Sequence, residues 1–210
     1  VAMLRTGEAD IAPIGFDSIP TVRDAGLTVV SAEATWSPVV RFGGLVQTSD
    51  NRYNGDNPWA KREVRQALNY AVDKQLIIDE LFHGEATVAS SDTPVPAWSG
   101  VEPYPYDPDK ARELLAEAGY DGEEITFYVT EGGSGMLDPV AMATAIQADL
   151  AAVGMKVKIE TYEWNTYLSK VNAGLEGKGD MAEMAWMTND PDTLPYLALR
   201  TAAWPEGGGF

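Results

Sequence analysis

Apolar residues recur along this 210-residue chain at two different spacings, and the spacing predicts the elements. Val64, Ala67, Leu68, Ala71 and Val72 fall three and four apart, which puts them on one face of a helix. Asn57-Pro58 stands ahead as the start signal, because Asn accepts from free N–H groups and Pro tolerates a first turn. Asp73 caps a second helix over Lys74–Phe82, ended by Gly84. Downstream, the period switches repeatedly. Glu124–Thr130, Met155–Thr161 and Met181–Met187 read as strands. Helices are predicted from Asp107-Pro108 to Ala118, from Asp138-Pro139 to about Val153, and over Trp164–Ala173. This strand–helix–strand order predicts parallel strands joined by right-handed crossovers. The two Asp-Pro helices look like a repeat, but convergent capping explains them without duplication.

The N-terminal part is less regular. A short helix ends at Gly7, a short strand follows at Asp10–Ile14, and Ile19–Ala25 reads as a helix stopped by Gly26. Leu27–Ala34 and Val39–Val46 read as strands, the latter interrupted by Gly43 and Gly44. Gln47–Asp56 is a polar loop. Glu85–Tyr106 holds four prolines and Trp98 and reads as one long extended loop, a kind of segment that is uncommon and often functional.

Composition narrows the chemistry. Hydrophobic residues make up 45% of the chain and charged residues 22%, enough to bury a core. No run approaches the ~18 apolar residues of a membrane span. The formal charge of -17 argues against nucleic acid and anionic membrane surfaces as partners, since phosphate needs Lys and Arg. There is no cysteine, so thiolate catalysis, disulfides and Cys-based metal sites are excluded. His83 is the only histidine, so a His-rich metal site is excluded too, and no cofactor is expected. A Ser-His-Asp triad would need His83 itself. That residue precedes Gly84 at a helix end, where a cation suits the helix dipole, and it reads as a cap. Thirty-two acidic residues make chance pairs easy, so Glu123-Glu124 or Asp190/Asp192 give no weight to a carboxylate-based hydrolase. The start at Val1 without a leader says nothing about secretion.

Ligands of open α/β sheets lie beyond the carboxyl ends of the parallel strands. Three segments qualify. Glu131-Gly-Gly-Ser-Gly135 precedes a helix N-terminus, which favours an anion. It matches neither phosphate-loop pattern, and Met136 breaks the nucleophile-elbow pattern, so a plain loop is the simpler reading. The second segment contains Tyr162, Glu163, Trp164 and Tyr167, and the third runs from Trp186 to Asp192. Aromatic rings offer large apolar faces at low entropic cost, although a Trp at a strand end is more often core.

Two segments carry a family resemblance. Val64 to Asp73 and Tyr106 to Tyr120, in this order and about this far apart, resemble the family 5 extracellular solute-binding proteins of ABC importers. Those proteins capture oligopeptides, dipeptides, nickel chelates, opines or oligosaccharides. Full members are more than twice as long, which would make this chain a fragment. The implied fold is α/β, a periplasmic-binding-protein-like lobe with a largely parallel sheet flanked by helices, truncated at both ends. Leu4 to Asp10 is similar to a segment late in the family's first lobe. Residues 1–45 are therefore expected to be a remnant of that lobe plus the crossover, and residues 46–210 the C-terminal lobe, incomplete at its end. Arg65 and Asp73, the charged members of the motif, are expected to pair between helices.

The resemblance also implies a site. Glu163, Trp164, Tyr167 and Leu168 match a Glu-Trp-x-x-aromatic-Leu segment of peptide-binding members, and Trp186 and Asp192 match part of a Trp-x-x-Asp-x-x-Asp pattern. The expected ligand-binding residues are Trp164, Trp186, Asn189, Asp190 and Asp192, with Trp98 as a looser candidate. Asn189 stands where the family's Asp anchors an α-amino group by a charge-assisted bond, and Asp190 is beside it. Glu183 stands where some peptide binders carry a basic residue. Both departures lean toward an uncharged ligand such as an oligosaccharide. The implied mechanism is closure of two lobes on the solute and delivery to a membrane permease, by a monomer without enzymatic activity. The implied location is periplasmic or extracellular, with a lipid anchor as one option. A single lobe is expected to bind weakly or undetectably. The alternatives are the hydrolase and a receptor or chaperone on the same fold.

Overall fold

The computed structural model describes residues 1–31, 36–44, 46–47, 52–53, 55–90, 100–133, 135–173, 175, 180–187 and 196. Its helices are α1 (Ala2–Thr6), α2 (Ile19–Asp24), α3 (Arg62–Ala71), α4 (Lys74–Phe82), α5 (Pro108–Glu117), α6 (Pro139–Ala152) and α7 (Trp164–Asn172). Its strands are β1 (Trp36–Phe42), β2 (Val46–Gln47), β3 (Arg52–Tyr53), β4 (Glu124–Thr130), β5 (Lys156–Tyr162) and β6 (Met181–Met187).

Side-chain caps set the starts of α4, α5 and α7. The Asp73 carboxylate accepts from Leu76 N at 3.0 Å, and that of Asp107 from Lys110 N at 2.9 Å. Asp138 does not follow its Asp-Pro twin. It sits at φ 49 and makes no cap bond, so Pro139 alone opens α6. Asn57 caps a single 3₁₀ turn, Pro58–Ala60, and α3 begins only at Arg62. Arg65 turns back onto that turn and donates to the Trp59 and Ala60 carbonyls. The expected Arg65–Asp73 pair therefore does not form, because each group has nearer backbone partners. His83 is the C-cap residue of α4, at φ 50.

The four-stranded sheet has the order β1-β6-β4-β5. β4 pairs parallel with β5 and with β6, while β1 lies antiparallel to β6 from Trp36↔Met187 to Phe42↔Met181. The expected largely parallel sheet forms with an antiparallel edge, and Pro38 is tolerated because β1 is that edge. β1 begins before the expected Val39 and ends ahead of Gly43, whose N–H donates to the Asp180 carbonyl at 2.6 Å. No strand forms over Asp10–Ile14 or among the described residues of 27–31. The long loop is free of helix and strand in its described parts, 85–90 and 100–106; residues 91–99, including Trp98, lie outside them.

Alternation along the strands gives the sheet two apolar faces. Ile125, Phe127 and Val129 meet Val64, Ala67 and Leu68 of α3, Ile77 and Ile78 of α4, Leu114 of α5 and Ile146 of α6 in one large core. Tyr128, Ala182 and Met184 point the other way, onto Tyr167 and Val171 of α7. Each large side chain so buried contributes about 1.5–3 kcal/mol. Both faces follow from topology. The chain leaves β4 for β5 on one side and then passes back across β4 to reach β6. Crossovers of one hand then put α6 and α7 on opposite faces.

Candidate functional site

β4 and β6 are neighbours whose connections run in opposite directions, which is the topological switch point of this sheet. A crevice for ligand lies beyond the carboxyl ends of such strands. Here those ends are Thr130 and Met187.

The loop after β4 is closed by local hydrogen bonds. The Thr130 hydroxyl donates to the Gly132 carbonyl at 2.7 Å, and Met136 N donates to the Gly133 carbonyl at 2.9 Å. Its glycines seat aromatic rings. Gly133 (φ 118) lies under Trp164, where a methyl group would come 2.7 Å from the indole, and Gly135 (φ 69) lies under Trp36 in the same way. The positive φ and the close approach both require glycine. The loop is thus bracketed by two indoles, one from β1 and one from α7. Sequence reasoning missed Trp36, since nothing local marks a Trp at the head of a strand as the partner of a glycine 99 positions away.

Trp164 opens α7 beside its cap. Glu163 accepts from Asn165 N at 2.9 Å and from Thr166 N at 3.4 Å, so the carboxylate read as part of a ligand motif serves the helix end. Trp164 stacks on Tyr167 with centroids 5.8 Å apart and planes 20° apart. Trp186, opposite Ser37 on β1, is half-buried and packs with Trp164 against the same cluster of Tyr128, Tyr167 and Met184. The fold therefore brings together the two sequence-predicted tryptophans that lie among the described residues. Asn189, Asp190, Asp192 and Trp98 lie outside them.

A second aromatic pair flanks the first. Tyr128 and Tyr162 stack at 5.9 Å, with the Lys170 ammonium 4.9 Å from the Tyr162 centroid. The Tyr162 hydroxyl donates to Glu160 at 2.6 Å, and Lys158 donates to Glu160 at 2.7 Å. These two bonds, led by that from Lys158, hold the Glu160 carboxyl below its ordinary range.

Glu183 is the electrostatic anomaly. It is 1% exposed, on the large-core face of β6 opposite Val40. Its Oε1 accepts from Thr130 N at 3.1 Å, while Oε2 has no hydrogen-bond partner among the described residues. Burial pushes its carboxyl up to about 8, against the bond from Thr130, which favours the charged form. The Tyr167 hydroxyl donates to the Glu183 backbone carbonyl. Burial, and then the charge of Glu183, raise the Tyr167 phenol well above its ordinary value. Arg41, on the Tyr167 side of β1, is lowered by burial to about 10.

Among the described residues no group of three or more His, Cys, Asp or Glu side chains is arranged to hold a metal ion. The arrangement sets half-buried indoles near the carboxyl ends of two parallel strands, with a hydrogen-bonded loop beneath Trp164 and Trp36.

The family described as bacterial extracellular solute-binding proteins, family 5, matches residues 1–206. Heme-binding protein A of Haemophilus influenzae is 43% identical over 146 residues, 67% of this chain and 26% of that protein. The dipeptide-binding protein of Escherichia coli is 36% identical over 156 residues, 70% of this chain and 28% of its own length. A solved periplasmic binding protein of Helicobacter pylori, in complex with the peptide STSA, has a TM-score of 0.62 and 28% identity. It covers 93% of this chain and 36% of its own. A sheet flanked by helices on both faces matches the periplasmic binding proteins, and this chain belongs to the family 5 extracellular solute-binding proteins. It spans between about a quarter and just over a third of the length of these relatives.

Proposed function

We propose that this chain supplies one jaw of the ligand-capturing component of an ABC import system, acting outside the cytoplasmic membrane on a peptide-sized solute. The carrying observation is the convergence of Trp164 and Trp186 on one cluster beside the carboxyl ends of β4 and β6. Residues 1–45 would be the remnant of the first lobe with the crossover, and residues 46–210 the second lobe. Closure of the two lobes would bury the solute against the indoles, with Asn189, Asp190 and Asp192 following β6 and Trp98 approaching from the long loop. The closed form, a monomer, would then dock on a permease. Binding favours closure only by the difference in affinity between the two states. No step of bond-making or bond-breaking belongs to this reading.

Relatives named for dipeptides, tripeptides and glutathione support a peptide. The paired indoles favour a second ligand class, an oligosaccharide, because sugar rings stack on such faces. Mass spectrometry of small molecules released from the gently purified full-length protein decides between them. Recovered peptides support the proposal, recovered oligosaccharides move it to the second class, and turnover of a candidate peptide or glycoside would overturn it. Trp164→Ala in the same protein should weaken binding of a recovered ligand by about tenfold or more.

A further inference from the structure

Glu183 reaches Trp164 by two separate routes. Through its backbone, the Glu183 carbonyl accepts from the Tyr167 hydroxyl, and the Tyr167 ring stacks on Trp164 at 5.8 Å. Through its side chain, Oε1 holds Thr130 N at 3.1 Å, the Thr130 hydroxyl holds Gly132 at 2.7 Å, and Gly133 lies directly under the Trp164 indole. One buried residue on the central strand thus fixes both supports of the same ring.

The side-chain route holds an incomplete polar group. Oε2 of Glu183 is buried and has no hydrogen-bond partner among the described residues. A buried carboxylate with one oxygen unsatisfied is costly when charged and much less so when protonated. Its surroundings offer little compensation. The helices on its face of the sheet turn apolar side chains inward. From α7 the titratable neighbour is Tyr167, which meets the backbone carbonyl, and from β1 it is Arg41, which lies on the Tyr167 side. The nearest charge in the loop, Glu131, is exposed. β4 contributes only the Thr130 N–H.

We propose that Glu183 is a positioning residue for Trp164, and that gain or loss of a proton on its carboxyl moves the 131–136 loop and with it the indole. Ionisation strengthens the bond from Thr130 but leaves a buried charge with one free oxygen. The loop, held among its described residues by four hydrogen bonds and two ring contacts, is the element that carries the change from Thr130 to the indole. Ligand capture at this face then becomes linked to pH through a residue that does not touch the ligand. This inference rests on the reading of Trp164 as ligand-facing only in its last step.

The test is fluorine NMR of the full-length protein carrying 5-fluorotryptophan, without ligand, from about pH 6 to about pH 9.5. Trp164→Phe and Trp59→Phe assign their resonances. The Trp164 resonance should titrate with a midpoint near 8, set by Glu183, while that of the deeply buried Trp59 stays still. Glu183→Gln keeps an acceptor for Thr130 N and should abolish the titration. A Trp164 resonance that is flat across the range in the unsubstituted protein overturns the proposal, whether or not the variant folds. So does one that titrates unchanged in Glu183→Gln. If Trp164 titrates through Glu183 but Trp164→Ala binds a recovered peptide as tightly as the parent, the positioning role stands and the ligand reading falls.

Discussion

The backbone N–H of Thr130 donates not to a backbone carbonyl of the neighbouring strand but to the side chain of Glu183 on that strand, 3.1 Å away. The same substitution occurs at the other end of the β4–β6 pair, where Thr126 N donates to Asp180 Oδ1 at 3.2 Å. Between them the paired register is only Phe127↔Met181 and Tyr128↔Ala182. Two carboxylates therefore finish a ladder that the backbones leave short. The strands can separate toward the switch point without stranding buried N–H groups, whose loss of partners is costly.

Stability should respond to pH through Glu183. Its carboxyl is raised in the folded state to about 8, from an ordinary value of 4.5. The folded protein then holds a proton that the unfolded chain has released. Stability from this group is fully present below the ordinary value, declines as pH rises between the two values, and is lost above about 8. Urea unfolding across this range should show Glu183→Gln losing that slope, a swing on the order of 5 kcal/mol relative to the parent. Parallel curves for the two proteins would contradict the raised carboxyl.

Gly133→Ala should cost more than Gly122→Ala. Both positions have positive φ, but Gly122 faces open space and Gly133 faces the Trp164 indole. Backbone strain alone costs about 1 kcal/mol. The added displacement of the ring should bring Gly133→Ala to roughly 2–3 kcal/mol, with a change in near-ultraviolet circular dichroism that Gly122→Ala does not produce. Equal losses would mean that the ring moves aside freely.

The two Asp-Pro helices should answer differently to the same substitution. Asp107→Ala removes a cap bond and should cost about 1 kcal/mol in thermal or urea unfolding. Asp138 makes no such bond and sits at φ 49, so Asp138→Gly should be neutral or stabilising by up to about 1 kcal/mol. A substantial loss on Asp138→Gly would reveal an interaction at that helix end beyond conformation.

Asp180→Ala should destabilise more than Asp73→Ala. Asp180 is 5% exposed, and its side chain serves Thr126 N and, at 3.4 Å, the Tyr128 hydroxyl. Removing it takes the side-chain acceptor from the part-buried Thr126 N–H, about 1–3 kcal/mol, whereas Asp73 caps an exposed turn that water can solvate. Urea midpoints of the two variants in parallel decide the order.

Local chemistry determined much of this protein directly from sequence. Helical spacing from Val64 to Ala71, the oxygens of Asp73 and Asp107, and period-two runs at Glu124 and Met181 act within a few residues, so they are legible without a fold. The family motifs around Val64 and Tyr106 were legible for the same reason, as they encode the helices of the scaffold. What tertiary structure decided depends on partners far apart in the chain. Only strand order puts β6 beside β4 and turns Glu183 from an odd residue in a strand into a ladder bond for Thr130. Only packing sets Trp36 on Gly135 and Trp164 on Gly133, giving a glycine-rich loop a role that its sequence does not carry. Asp138 makes the same point in reverse, because its neighbours match those of Asp107 while its backbone follows the loop that the two indoles hold. Short-range hydrogen bonds and periodicity are written in adjacent residues, whereas desolvation and ring packing come into being only when distant segments meet.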